Sequence, residues 1–464
     1  MCRKFFPLLA LSAIGVIALA GCRGVQTSGE KQARHDFEAV AGAYRPNNRA
    51  PALPELTPES SLSNYLAYAL LNSPTVAAAY YDWAASVENI TVARSLPNPQ
   101  LTFQSDIGSI VETIMPGILQ EFPGPGKLQA RAAVATDQSQ SKYFSFENVA
   151  LQTAFDLKRS YYELYFLNER LDINRETLSL LADLEQIARA QNEVGKGTLQ
   201  DVLRAQIERD RVQTDIADLE DSRRPMLASF KAALGRAPGQ PDPPVPVRLE
   251  TSAAFPDSDH MLRVAFEHNP QLNAMAADVR ATEADIALAY RQRVPDFAVG
   301  LMADAKASPT VYRPLAGVTL PIWRDKTAAE IAQAEANDLA AKSRLNAAQI
   351  SLAVDFAEQT FAYREIGRNL DLLENRLIPK AHQSLEIARA GYLAGTIDFF
   401  NLMDTERTLL NFELAEVEAR SQREIVFSRL SLLIAGEPPA GMSLLQNSGK
   451  NRTVNAKNSK GQTP

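Results

Sequence analysis

The chain has 464 residues, a formal net charge of −7, four histidines and two cysteines. The acidic balance argues against nucleic acid as a partner. The histidines are scattered without metal-ligand spacing, and no nucleophile, base and oxyanion-stabilising group stand at a recognisable spacing. We therefore predict no metal site, no cofactor and no enzymatic activity.

The N-terminus is typical of a secretory signal. A basic start precedes an apolar run over residues 5–20, which is too short for a comfortable membrane span. The run ends in LAGC, which resembles the bacterial lipoprotein cleavage box. This resemblance implies that residues 1–21 are a signal peptide and that Cys22 becomes the lipidated N-terminus, with palmitate among its acyl chains. Because Arg23 follows instead of an acidic residue, the sorting rule of these lipoproteins implies the outer membrane. An uncleaved helical anchor is the alternative.

The rest of the sequence contains two similar repeats. Four landmarks recur in the same order at spacings of 196 to 199 residues, which indicates an internal duplication. They are NSP at 72–74 with HNP at 268–270, NPQL at 98–101 with VPDF at 294–297, FP at 122–123 with LP at 320–321, and Lys127 with Lys326. The predicted domains are an extended lipidated segment over 22–58, a first repeat over 59–235, a proline-rich linker over 236–257, a second repeat over 258–436 and a disordered tail over 437–464.

Each repeat is predicted to contain a helix of about 22 residues, a segment of alternating polarity and a long helix. Residues 127–194 contain neither glycine nor proline, which predicts a helix of about 66 residues, roughly 100 Å long. The corresponding run over 326–392 is interrupted by Gly367 and Pro379, with a further glycine, Gly391, only at its end. We expect Pro379 to bend this helix, because proline removes a backbone donor and clashes with the preceding turn.

The alternating segments predict β-strands. PQLTFQSDIG at 99–108 and PDFAVGLMAD at 295–304 alternate apolar and polar residues over about ten positions, as strands of a membrane β-barrel do. Second strands are predicted near 112–123 and 312–323. Four strands cannot form a closed barrel, and an open sheet leaves unpaired backbone groups in lipid. The chain could therefore span a membrane only by sharing a barrel with copies of itself. The alternative is a pair of soluble amphipathic hairpins.

Two similar glycine-marked turns follow the long helices. They are NEVGKGTLQDVLRAQ at 192–206 and GYLAGTIDFFNLMDTE at 391–406. Placing Gly197-Thr198 on Gly395-Thr396 relates them at a spacing of 198 residues. A second helix is predicted to return after each turn. The apolar residues predicted on one face of the first returning helix are Leu199, Val202, Leu203 and Ile207.

The acidic residues beside these turns have structural and functional interpretations. Thr198 and Asp201 fit the S/T-x-x-acid pattern of a helix start, so Asp201 either caps its helix or gates a pore. Thr396 with Asp398 fits a cap followed by an acid in the first turn. Asp404 lies one turn further in, where no capping role applies, so it either lines a gate or belongs to the solvated surface.

The order of these features resembles the outer membrane efflux family typified by TolC. The similarity rests on the duplicated helix-strand-strand-helix-turn-helix unit, on FPGPGK and LPIWRDK where strand gives way to helix, on Pro379 followed by ARAGYLAGT, and on the two turns. It implies a mainly α fold with a membrane β-barrel portion. It further implies that each chain has long helical hairpins and four transmembrane strands, and that a homotrimer completes them as a twelve-stranded barrel and a tunnel of twelve helical strands.

The resemblance also implies a function, partners and site residues. The chain would be the outer membrane exit duct of a tripartite efflux or secretion system, joined by a periplasmic adaptor (membrane fusion) protein to an inner membrane pump of the RND or ABC type. The implied adaptor-contact positions at the tips are Gly195, Gly197, Thr198, Gly395 and Thr396. The implied gate or pore-lining positions are Asp404, Asp201, Asp398 and Asn401, the last replacing an acid of the family pattern. A ring of Asp404 side chains would attract cations.

Two hypotheses follow from the sequence. The first is the lipid-anchored outer membrane duct, and the second is a periplasmic lipoprotein whose long coiled-coil hairpins act as a structural or adaptor element. The exported substrate stays open. LQEFPGPGKLQARAAVA has only a faint similarity to the heavy-metal branch of the family.

Overall fold

A computed structural model describes residues 26–107, 111–247 and 258–434. The predicted signal peptide, Cys22, the predicted tail and residues 248–257 of the predicted linker lie outside these ranges. Within them the helices and strands, in chain order, are α1 (Ser28–Tyr44), α2 (Leu62–Asn72), α3 (Pro74–Arg94), β1 (Gln100–Ile107), β2 (Val111–Phe122), α4 (Lys127–Glu193), α5 (Leu199–Ala233), α6 (Ser258–His268), α7 (Pro270–Arg291), β3 (Asp296–Asp304), β4 (Val311–Thr319), α8 (Arg324–Leu372), a π-helical turn (Leu373–Leu377), α9 (Ile378–Ala394) and α10 (Phe399–Leu433).

The chain divides into two compact units. The strand unit comprises the described residues up to Asn47, Ala79–Glu147 and Pro270–Gln349. The hairpin unit comprises Asn48–Ala78, Asn148–Asn269 and the described residues from Ile350 onwards. Each repeat therefore contributes to both units. None of the helices in the described ranges has the length and apolar character needed to cross a membrane.

The strand unit contains one antiparallel sheet with the order β1-β2-β3-β4. Gln100 pairs with Leu119, Phe122 with Phe297, and Asp296 with Thr319. Apolar side chains predicted to share a face are solvent-exposed in the chain; they include Leu101, Phe103, Phe297, Val299 and Leu301. β4 ends at Thr319, four residues earlier than predicted. β1 and β4 are the outer strands, and among the described residues each pairs on one side only.

The same hydrogen bond recurs in both repeats within the strand unit. Ser86 Oγ donates to Ser139 Oγ at 3.2 Å, and Thr282 Oγ1 lies 3.2 Å from Asp338 Oδ1. Ser86 of α3 and Thr282 of α7 are 196 residues apart, and Ser139 of α4 and Asp338 of α8 are 199 residues apart. The spacings found in the sequence therefore relate positions that make equivalent contacts.

The hairpin unit repeats a different contact. Asn72 Nδ2 donates to the Leu234 carbonyl, and Asn269 Nδ2 donates to the Leu433 carbonyl, both at 2.9 Å. The sequence alignment places Asn72 on His268, one position earlier. In the first repeat the contact is made by Asn72, the last residue of α2. In the second repeat it is made by Asn269, the residue that follows the end of α6 at His268.

The segment predicted to be extended over 22–58 contains a helix, α1, in its described part from residue 26 onwards. Helix α1 begins after Thr27, whose side chain accepts a hydrogen bond from the Glu30 amide at 3.1 Å. The buried Glu30 carboxylate accepts hydrogen bonds from Arg94 Nε at 2.5 Å and from Thr91 Oγ1 at 3.0 Å. Burial alone raises the pKa of Glu30, but its hydrogen bonds from Arg94, Thr91 and Arg34 outweigh this and hold the pKa below its usual value. Contacts with residues distant in sequence thus stabilise a helix that local sequence does not indicate.

The long helices agree with the sequence, with one difference. α4 is continuous for 67 residues, as predicted. The second long run is interrupted by the π-helical turn Leu373–Leu377, directly before Pro379 in the first turn of α9. A proline lacks the amide of the regular α-helical ladder, and a π turn accommodates one extra residue. The bend expected at Pro379 stays a prediction, and the structure shows a one-residue insertion directly before this proline.

Candidate functional site at the hairpin tips

The first tip connects α4 to α5 in the hairpin unit. Gly195 has a φ of +73°, in the left-handed region that glycine adopts readily. The amides of Lys196 and Gly197 donate to the Gln191 carbonyl at 2.8 and 2.9 Å, which satisfies the end of α4. The chain thereby reverses direction within four residues between Glu193 and Thr198.

A reciprocal capping box begins α5. Thr198 Oγ1 accepts the Asp201 amide at 3.2 Å, and Asp201 Oδ2 accepts the Thr198 amide at 3.0 Å. Both bonds satisfy backbone donors that have no partner inside the helix. The predicted capping role of Asp201 is confirmed, and its half-buried carboxylate is engaged in the cap.

The second tip connects α9 to α10, and its cap differs from the predicted one. Gly395 is left-handed, with a φ of +76°. Asp398, and not Thr396, is the N-cap, and it accepts the Asn401 amide at 2.8 Å. The Thr396 hydroxyl instead donates to the Gly391 carbonyl at 3.1 Å, across the turn.

The two tips correspond at a spacing of 200 residues and not 198. Gly195 corresponds to Gly395 as the left-handed residue, and Thr198 corresponds to Asp398 as the cap. The π turn accounts for the change, because one extra residue raises the spacing from 199 in the long helices to 200 at the tips. Matching the two Gly-Thr pairs by sequence is therefore two residues out of register.

The two hairpins pack against each other near their tips. The shared apolar cluster is drawn from α4, α5, α9 and α10 and consists of Leu181, Leu184, Ala188, Val202, Ala205, Val212, Ala381, Leu385, Ala388, Tyr392, Phe399, Leu402, Met403 and Leu409. The Tyr392 and Phe399 rings lie 5.2 Å apart between centroids. Arg407 of α10 forms an ion pair with Glu208 of α5. Both tips therefore belong to one packed site.

The predicted site residues lie around this cluster with different exposures. Half-buried positions are Gly197 and Asp201, while exposed positions are Gly195, Thr198, Gly395, Thr396, Asp398, Asn401 and Asp404. The Asp404 side chain makes no hydrogen bond or ion pair with the part of the chain that the structure describes. Its charge neither caps a helix nor has a cationic partner among the described residues.

Sequence analysis missed Glu406, the buried acid of the site. Its side chain is 3% exposed, and burial, followed by the nearby Glu208 charge, raises its pKa to about 7. Arg407 opposes this shift but is itself paired with Glu208. The signal was present in the periodicity, because Glu406 falls on the same helical stripe as Leu402, Met403 and Leu409.

Tyr392 places a second polar group inside the cluster. Its buried hydroxyl has no hydrogen-bond partner in the described ranges. Burial raises the pKa of Tyr392, and the charge of Asp201 on the other hairpin raises it further. The described residues hold no group of three or more His, Cys, Asp or Glu side chains arranged to bind a metal ion. The tips thus combine an apolar contact between hairpins with acids in three environments.

Comparison with known sequences identifies the family. The pattern of the outer membrane efflux protein family matches residues 66–236 and 261–436. The chain belongs to this family. Its members are channels of the outer membrane that serve transport and are not enzymes.

Individual relatives in this efflux family agree with that assignment. The chain is 22% identical over 377 residues to the cobalt-zinc-cadmium resistance protein CzcC of Cupriavidus metallidurans, covering 80% of this chain and 89% of the relative. The outer membrane protein VceC of Vibrio cholerae has a TM-score of 0.70 at 16% identity, covering 81% of this chain and 96% of VceC. The open-state MtrE outer membrane channel of Neisseria gonorrhoeae has a TM-score of 0.69 at 16% identity, covering 83% and 94%. These structures share the fold of this chain.

Proposed function

We propose that this efflux-family protein is the exit duct of a tripartite efflux or secretion system and passively conducts substrate across the periplasm and the outer membrane. The observation that carries the proposal is the open four-stranded sheet with exposed apolar residues on its strands, among them Leu101 at 86% and Val299 at 56% exposure. In lipid such a sheet is stable only when both outer strands are paired. Copies of the chain supply the missing pairs.

The proposed assembly is a homotrimer with a closed barrel of twelve strands and a tunnel of helical hairpins. A barrel needs at least two copies, since known single-chain barrels begin at eight strands and each copy provides four. The number three comes from the resemblance to the TolC-type family. Outer membrane lipid contacts the apolar strand face in this assembly.

The tips are the proposed contact with a periplasmic adaptor protein, which connects the duct to an inner membrane pump of the RND or ABC type. On α5, Leu199, Leu203 and Ile207 are 64%, 50% and 63% exposed and lie on one face at a spacing of four. Val202, predicted to share that face, is buried in the cluster instead. An exposed apolar row beside the glycine turns is suited to packing against helices of a partner.

Cys22 is the proposed lipid attachment site. Support comes from α1, which begins six residues later and is fixed in the strand unit by the Glu30–Arg94 contact at 2.5 Å. Arg94 ends α3, and β1 begins at Gln100. Helix α1 therefore contacts a residue that precedes the first proposed membrane strand by six positions, and we propose that a lipid anchor on Cys22 reaches the bilayer there.

Divalent metal ions are the cargo class that we propose to test first. The support is the similarity to CzcC, a protein whose name denotes resistance to cobalt, zinc and cadmium. A duct conducts its cargo without coordinating it, so this proposal assigns no metal ligand to the chain. Deleting the gene should lower tolerance to these ions if the cargo is metallic and leave it unchanged if the cargo is organic.

Membrane fractionation tests the proposed duct. The full-length protein is expected in the outer membrane fraction, resistant to carbonate washing, and as an oligomer in SDS that dissociates to monomer only on heating. Three strand-sharing copies predict that resistance, because every strand edge is paired. A monomer released by washing would contradict the duct and favour a periplasmic structural rod.

A further inference from the structure

The two repeats are fastened together inside the chain at one junction of the strand unit. Lys127 Nζ, at the start of α4, lies 2.8 Å from Asp296 Oδ1, at the start of β3. The Gly124 amide donates to the same carboxylate oxygen at 2.6 Å. The Lys127 side chain is only 3% exposed. The end of the first repeat's strand pair is thus joined to the beginning of the second.

The equivalent residues of this junction do not meet within one chain. A spacing of 199 carries Lys127 to Lys326, and a spacing of 196 carries Asp296 back to Gln100. These are the spacings that relate the two repeated hydrogen bonds of the strand unit. Lys326 is 72% exposed and lies 3.8 Å from Glu330, its neighbour on α8. Gln100 begins β1 and is exposed, whereas Lys326 follows β4, at the opposite edge of the sheet.

The hairpin unit has the same asymmetry. Tyr162 of α4 is 1% exposed, whereas its equivalent on α8, Phe361, is 61% exposed. Ile350 and Val354, on the same helix, are 67% and 50% exposed. The first repeat buries Tyr162 and half-buries Leu151 and Phe155, the equivalents of Ile350 and Val354, whereas the second repeat leaves this face uncovered within the chain. A second copy, offering the same partner surface that covers the first repeat, is the occupant that fits this face.

We propose that Lys326 of one copy lies beside Gln100 of the next, in the arrangement that Lys127 and Asp296 take within one chain. β4 then pairs with the neighbouring copy's β1 as β2 pairs with β3. This inference rests on the proposed multi-copy duct and adds the residues of its seam. It also distinguishes two kinds of seam: the one inside each chain is closed by an ion pair, and the one between copies has an amide where the carboxylate would stand.

The charge difference gives a direct test. Gln100→Asp should create the missing ion pair and raise the temperature at which the oligomer dissociates in SDS by several degrees. Lys326→Gln should cancel that gain in the double variant and have little effect alone. The matched control is Asp296→Glu, which keeps the ion pair inside the chain. A Gln100→Asp gain that persists without Lys326, or no gain at all, would overturn the proposal.

Cross-linking provides a second measurement that does not depend on stability. With Cys22 as the sole cysteine after signal removal, Gln100→Cys with Lys326→Cys introduces one reactive pair per seam. A bismaleimide should then give covalent dimers and trimers on boiled gels, whereas Lys127→Cys with Asp296→Cys should link only within a chain. Heat-resistant oligomers without covalent products would refute the seam while leaving the duct intact. Absence of any oligomer in the wild type would refute the duct itself.

Discussion

At the scale of single residues, the tip acids have three distinct roles. Asp201 and Asp398 accept backbone amides at helix starts, so their charges satisfy caps. Glu406 is buried in the contact between hairpins, with its pKa raised to about 7. Asp404 is exposed and uncommitted. Among the acids predicted from the sequence, Asp404 is therefore the one whose exposed charge has no partner in the described chain, and its gate role stays a prediction.

Asp404→Ala should change ion permeation. In the proposed trimer the variant removes three negative charges from the entrance and lowers its attraction for cations, so we expect higher single-channel conductance or weaker block by divalent cations in planar bilayers. Asp398→Asn is the matched control, since asparagine caps a helix as well as aspartate does while its charge is lost. If conductance and divalent block are unchanged in Asp404→Ala, this residue belongs to the ordinary solvated surface.

Glu406→Gln should change the pH dependence of tip stability. The folded-state pKa of about 7 exceeds the ordinary value of 4.5, so the folded tip binds more protons than the unfolded chain between these values. The contribution of protonated Glu406 to the stability of the fold is fully present below about pH 4.5 and is lost as pH rises through about 7. The variant should gain stability relative to the wild type at pH 8, by about a kilocalorie per mole or more, as measured by amide hydrogen exchange in α10. An equal pH dependence in both proteins would rule out this role.

At the scale of secondary-structure elements, sequence patterns predicted the helices and strands that depend on local interactions. α4 and the four strands follow from uninterrupted helical residues and alternating polarity. The register of the second tip was wrong by two residues, because the π turn inserts a residue that the Gly-Thr pairs do not reveal. Helix α1 was missed because the partners of its Glu30, Thr91 and Arg94, lie about sixty residues away.

Gly395→Ala should destabilise the second tip through the backbone alone. A Cβ added at Gly395 would meet no atom within 4 Å, so the cost comes only from its φ of +76°, about 1 kcal/mol. Gly367→Ala in α8 is a matched control, with equal open space and helical geometry. It should stabilise the protein by about 0.5–1 kcal/mol. Equal effects of the two variants on urea unfolding would contradict the left-handed turn.

At the scale of the whole molecule, duplication explains why one chain is incomplete. Each repeat supplies two strands and a long helical hairpin, and the second repeat covers surfaces of the first within the chain. The sheet still ends in two outer strands, β1 and β4, and no fold of four strands closes a barrel in lipid. The proposed barrel therefore requires further copies, and their number depends on barrel curvature that sequence patterns do not encode.

The proposed duct is a continuous conduit enclosed by copies of this efflux-family chain. The most direct measurement is the conductance of the purified, full-length oligomer in planar lipid bilayers. The duct predicts discrete, uniform current steps that persist without any added pump or adaptor and disappear when the oligomer is heated to monomers before addition. A heat-resistant oligomer that inserts into the bilayer and produces no current would contradict it.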